Sequence, residues 1–161
     1  MRKSATLPEV LDYQNREIVA RFAKETGIPR HDAEEVFVEL KRWLWLCSYL
    51  RGVPVNMVGE AFVIDEMWHV FLLFTRDYSA FCDRYFGEFI HHTPKTSADQ
   101  AAWQVALAGS SDQTLRNWRT SIKQDYELIY DHLGPVTLFK WCHEFPKKFQ
   151  RLRPTKMKEN E

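Results

Sequence analysis

Apolar residues recur along the chain at three- and four-residue intervals and nowhere alternate for the length of a strand, so the pattern predicts helices throughout. Thr6-Leu7-Pro8-Glu9 reads as a helix start, with Thr6 as cap, Pro8 in the first turn and Glu9 reaching back to the cap. Val10, Leu11, Ile18, Val19 and Phe22 then mark one face as far as Gly27 and Pro29. Asp32-Ala33-Glu34-Glu35 repeats the cap-and-acid pattern and opens a second helix to about Leu50, stopped by Gly52 and Pro54. Its second half, Trp43-Leu44-Trp45-Leu46-Cys47-Ser48-Tyr49-Leu50, is apolar on most sides and is expected to be the most buried helix, with Cys47 an inert part of its packing. Ser97-x-x-Gln100 and Ser110-x-x-Gln113 predict a short helix to about Leu107 and a longer one to about Leu133, which Gly134-Pro135 ends. One more short helix is expected before Pro146. The fold class read from this pattern is all-α: a single helical domain of about five or six helices over 1–153, then a loose basic tail, 154–161.

The central stretch, 59–94, departs from an ordinary amphipathic pattern because it sets Asp65, Glu66, His69, Asp77, Cys82, Asp83, Glu88, His91 and His92 among large apolar residues. Buried singly, even a neutral polar group costs roughly 2–7 kcal/mol, so these side chains must pair or bind something. At about 100° per residue Asp65 and His69 share a helical face. A helix running straight to Phe86 would point Cys82 about 140° away from His69. A break near Thr75, which can cap a new helix before Arg76-Asp77, folds the second half back. Asp65, His69, Cys82 and His91 then converge as a four-ligand set of the kinds zinc accepts, with His92 as the substitute for His91 and iron as the second metal.

Other readings of the same residues stand beside that one. Asp65 and His69 can be a hydrogen-bonded structural pair, Cys82 plain core and His91-His92 the end of a helix, which leaves a non-catalytic module whose aromatic-rich helices serve a protein partner. Glu66-x-x-His69 and Glu88-x-x-His91 match the element of di-iron carboxylate bundles, with Glu35 and Glu39 as further carboxylates, although Gly87 argues against a rigid second helix. A Cys82 nucleophile activated by His69 or His91 and oriented by Asp65 has the right residue types but no local oxyanion hole.

The run Ile64-Asp65-Glu66-Met67-Trp68-His69, followed by Leu73, Tyr78, Cys82, Phe86-Gly87 and His91, resembles the glycine-rich domain-containing-protein-like family over roughly residues 35–95. The chain departs from that family at Phe71, where many relatives place a second His, and it lacks the glycine-rich repeats. The resemblance implies a grouping and no activity.

Composition narrows the partners. The 22 basic and 22 acidic residues cancel, which argues against a whole-molecule footprint for nucleic acid, but Lys140, Lys147, Lys148, Arg151, Arg153, Lys156 and Lys158 make the last segment basic and interleave it with aromatics. That run is expected to be a solvated edge. No phosphate-cradling loop or dinucleotide fingerprint occurs, so no nucleotide cofactor is expected. Three widely spaced cysteines form no disulfide framework, and no apolar run approaches the roughly 20 residues that span a bilayer, so no membrane association and a cytoplasmic location are expected.

Overall fold

The computed structural model describes residues 5–53, 55–57, 59–93, 96–109 and 112–152, and every regular element among them is helical. The expected loose tail, 154–161, and the Ser110 cap lie outside the described residues.

The first expected helix is two. The helices α1 (Leu7–Leu11) and α2 (Arg16–Thr26) are separated because Asn15 leaves the helical conformation and its side chain accepts hydrogen bonds from the amides of Glu17 and Ile18, at 3.2 and 3.3 Å. Thr6 and Glu9 cap α1 as read from the sequence, the Thr6 amide and hydroxyl both donating to Glu9 at 2.7 Å. Gly27 closes α2 in the left-handed conformation, φ 71°.

The long helix α3 (Arg30–Tyr49) starts two residues ahead of Asp32, with Pro29 at its cap. It is the central rod: Ala33, Val36, Phe37 and Leu40 are buried along its first half, and Trp43, Leu44, Leu46 and Leu50 along the apolar stretch that follows, where Tyr49 is exposed. After a turn at Gly59–Ala61 come α4 (Phe62–Leu73) and α5 (Thr75–Tyr85), and the break between them falls at Phe74, φ −86° and ψ 61°. Thr75 is therefore the first residue of α5 and not its cap. Both helices close over one aromatic core, in which Tyr13, Phe71, Phe81 and Tyr85 meet with ring centroids 4.8 to 6.1 Å apart.

The second half of the chain begins with α6 (Ser97–Ala108) and α7 (Asp112–Leu133). Thr96 and Asp99 cap α6, one residue earlier than the expected Ser97 and Gln100: the Thr96 amide donates to Asp99 at 2.9 Å and the Asp99 amide to Thr96 at 3.1 Å. None of the described side chains of α6, nor of the first half of α7, is buried, whereas Asp125 and Ile129 anchor the second half of α7. Gly134, φ 87°, turns the chain into α8 (Pro135–Phe139), a π-helical turn at Lys140–Glu144 and α9 (Phe145–Lys148), three pieces where one short helix was expected.

This terminal segment lies against the acidic edge of α3. Lys140 meets Glu35 and Glu39 at 3.3 Å, Lys148 meets Asp32 at 2.7 Å and Glu35 at 2.6 Å, and the Trp141 indole donates to Glu39 at 2.9 Å. Trp141, Phe145 and Phe149 are buried. The described part of the basic segment is therefore only in part the solvated edge that its composition suggested: Lys140 and Lys148 face acids and Trp141, Phe145 and Phe149 face the core, while Lys147 and Arg151 are exposed.

Candidate metal centre

Helix α4 is apolar almost all round. Phe62, Val63, Ile64, Met67, Trp68, Val70 and Phe71 are buried, and the polar residues Asp65, Glu66 and His69 form the stripe that reaches solvent. The four-residue spacing stacks His69 one turn above Asp65, with Nε2 of His69 3.5 Å from Oδ2 of Asp65. Glu66 flanks the other ring nitrogen, its Oε1 3.8 Å from Nδ1 of His69. A carboxylate beside an imidazole nitrogen fixes the orientation of the ring.

The third member arrives from the far end of α5. Gly87, at φ 70°, donates its amide to the Cys82 carbonyl at 3.0 Å and turns the chain back without forming a further helix. Arg51 holds this turn from outside, donating to the Phe86 carbonyl at 3.0 Å and pairing with Glu88 at 3.2 Å. The returning segment carries Ile90 and His92 inward, while Phe89 and His91 face out. Nε2 of His92 donates to Oδ1 of Asp65 at 2.8 Å, and the His92 ring stands 4.7 Å from that of His69 and 4.5 Å, edge-on, from that of Trp68.

One ligand atom from each of Asp65, His69 and His92 falls within 4.8 Å of the other two. Side-chain exposure runs from 11% at His92 through 37% at Asp65 to 46% at His69, so the cluster is walled on one side and open to solvent on the other.

Two of the expected ligands stand apart. His91 turns outward and its ring packs 4.9 Å from Phe89, because successive residues of an extended segment point to opposite sides and His92 is the one in phase with Ile90. Cys82 is buried, and burial pushes its thiol up. An apolar surround that disfavours the thiolate makes it a poor nucleophile as well as a poor ligand. Burial raises the Cys47 thiol to about 12, in keeping with an inert packing role.

The four carboxylates of the di-iron pattern do not gather around His69. Glu88 pairs with Arg51, and Glu35 and Glu39 face Lys140, Lys148 and Trp141. Gly87 ends the helix that the second Glu-x-x-His element would need.

Trp68 and Tyr78 do more than fill the core. The Trp68 indole donates to the Tyr78 hydroxyl at 3.0 Å, and that hydroxyl donates to the Ile90 carbonyl at 2.6 Å. Tyr78 and Cys82 are one helical turn apart on α5 and so address the same neighbour, which was visible in the sequence as spacing but had no partner until α5 folded back.

A family model described as UCP032817-like matches residues 9–129, three quarters of the chain, and the chain belongs to that family. This corrects the resemblance to the glycine-rich domain-containing-protein-like family. The residues that carried it, Trp68, Tyr78 and Cys82 above all, pack and bond within one helical pair, and a short packing motif does not separate one helical family from another. No curated protein and no solved structure matches the chain.

Proposed function

We propose that this member of the UCP032817-like family binds one divalent transition-metal ion, zinc before iron, through Asp65, His69 and His92. The observation that carries the reading is the approach of one ligand atom from each of the three residues to within 4.8 Å of the others. Ligand atoms 2.0–2.2 Å from a tetrahedral metal lie about 3.3–3.6 Å apart. His69 Nε2 lies 3.5 Å from Oδ2 of Asp65 and His92 Nε2 lies 2.8 Å from its Oδ1, so each imidazole approaches one carboxylate oxygen at close to that spacing. Two imidazoles and one carboxylate are a donor set used by catalytic zinc and by non-haem iron(II), and in both the protein leaves a coordination position to water or substrate. On the open side of this cluster a bound ion would act as a Lewis acid or lower the pKa of its water.

A second reading rests on the 2.8 Å bond from His92 to Asp65, which is good hydrogen-bond geometry without any ion. There the cluster is a structural clasp, and the molecule is a non-catalytic module for a protein partner.

Elemental analysis by plasma mass spectrometry, on protein purified without a histidine tag or chelator, separates the two. Near-stoichiometric zinc or iron in the native protein, lost in His92→Ala and in Asp65→Ala but retained in His91→Ala and Cys82→Ala, is the expected result. No metal in the native protein, and no uptake on titration with Zn(II) or Fe(II), contradicts it.

A further inference from the structure

We infer that Tyr78 is the positioning residue of this site: its hydroxyl, oriented by the Trp68 indole, fixes the Ile90 carbonyl and thereby the place at which His92 meets Asp65 and His69. The inference rests on the metal reading above and adds what sets the geometry of its third ligand.

Asp65 and His69 need no such help, since one rigid helix holds them a turn apart. His92 lies in a segment, 88–93, with no regular secondary structure of its own. Left to itself, such a segment samples many backbone conformations, and ordering it costs entropy. What fixes it is visible two residues before His92. The Tyr78 hydroxyl, on the turn of α5 that faces the returning segment, donates to the Ile90 carbonyl at 2.6 Å.

The Trp68 bond ties that turn to the site. Trp68 precedes His69 on α4, donates to the Tyr78 hydroxyl at 3.0 Å and lays its ring edge-on against His92 at 4.5 Å. Tyr78 is almost wholly buried, its ring held 5.0 Å from Phe71 and 5.1 Å from Phe89, so the hydroxyl has little freedom to move. A chain of two hydrogen bonds thus joins the helix carrying two ligands to the strand-like segment carrying the third. Burial of its polar members makes a broken link costly, and a locked second shell is what gives a metal site its preorganisation.

Tyr78→Phe tests this directly, because it keeps the ring and its packing and removes only the hydroxyl. Zn(II) affinity is measured by competition with a chromophoric chelator, and Co(II) binding by its visible absorption, on the full chain. Loss of this hydroxyl is expected to weaken Zn(II) binding by about 10-fold, the low end of what the loss of a group bonded to a ligand costs. The intense Co(II) bands of a low-coordinate site should fade toward those of a more hydrated ion, while the far-ultraviolet circular dichroism stays that of the native protein. Trp68→Phe, which leaves the Tyr78–Ile90 bond in place, should show a smaller loss and decides the matter if Tyr78→Phe does not fold. Tyr49→Phe, an exposed tyrosine away from the cluster, serves as the control. Native-like affinity in folded Tyr78→Phe, or in folded Trp68→Phe if that is the only one to fold, overturns the positioning role and leaves the metal reading standing. Absence of metal binding in the unsubstituted protein overturns both.

Discussion

Lys41 is the least expected residue in the core. It sits inside α3 only 1% exposed, and its ammonium donates to the carbonyls of Leu11 and Tyr13 at 2.5 and 2.7 Å, where α1 ends and the chain turns toward α2. Burial, only partly countered by Asp12 and reinforced by Arg42, lowers its pKa to about 8. A neutral amine still has two N–H groups for those two carbonyls, so deprotonation removes the buried charge without breaking the clamp. Between pH 8 and the ordinary lysine value the unfolded chain holds a proton on Lys41 that the folded chain has released, so the contribution of this group to stability rises with pH across that window. The rise should amount to about 3 kcal/mol at most, at 1.36 kcal/mol per unit. Because the buried thiols of Cys47 and Cys82 act in the opposite sense above pH 9, the rise is read as the difference between native protein and Lys41→Met in urea denaturation at pH 7 and pH 10.5, and the substitution should itself cost about 1–3 kcal/mol for the two stranded carbonyls. A Lys41 that titrates near its ordinary value in an NMR titration of the side-chain resonances would refute this account.

At the scale of elements, the periodicity of Val10, Phe22, Leu40 and Trp43 made the helices legible, and the Thr6–Glu9 box and Gly134 marked ends that the structure keeps. Legibility failed where a side chain chose between local and distant partners. Asn15 was one such residue, since its use as a cap splits the first helix. The basic segment was another: its lysines and aromatics carry the composition of a nucleic-acid surface, yet Asp32, Glu35 and Glu39 were already spaced along one face of α3 to receive them. Glu39 is the keystone, only 3% exposed and contacted by Lys140, the Trp141 indole and Arg42. Removing one partner of a buried ionic group leaves the others uncompensated, which costs about 3–5 kcal/mol. Glu39→Ala should therefore destabilise the protein by that order and speed amide exchange selectively over 135–152. Uniform exchange across the chain would mean that the segment is not held at this point.

The whole molecule places its candidate centre where two helices and a return segment meet. Asp65 and His69 were readable from their four-residue spacing alone, because a helix guarantees their proximity. The choice of His92 over His91 was not, because it depends on the phase of an extended segment that Tyr78 holds from another helix. Beyond this body α6 and the first half of α7 contribute no described buried side chain, and no described helix is long and apolar enough to cross a membrane. The central claim is that Asp65, His69 and His92 hold a metal ion, and the chain offers six histidines against which to test it. The most direct measurement is a Zn(II) titration of the metal-free protein followed through the imidazole nitrogen resonances of all six. The account predicts that at one equivalent the Nε2 signals of His69 and His92 move to the positions of metal-bound nitrogen, and that His31, His91, His132 and His143 stay where they were. No change at His69 and His92 with excess zinc, or changes spread over the exposed histidines, would contradict it.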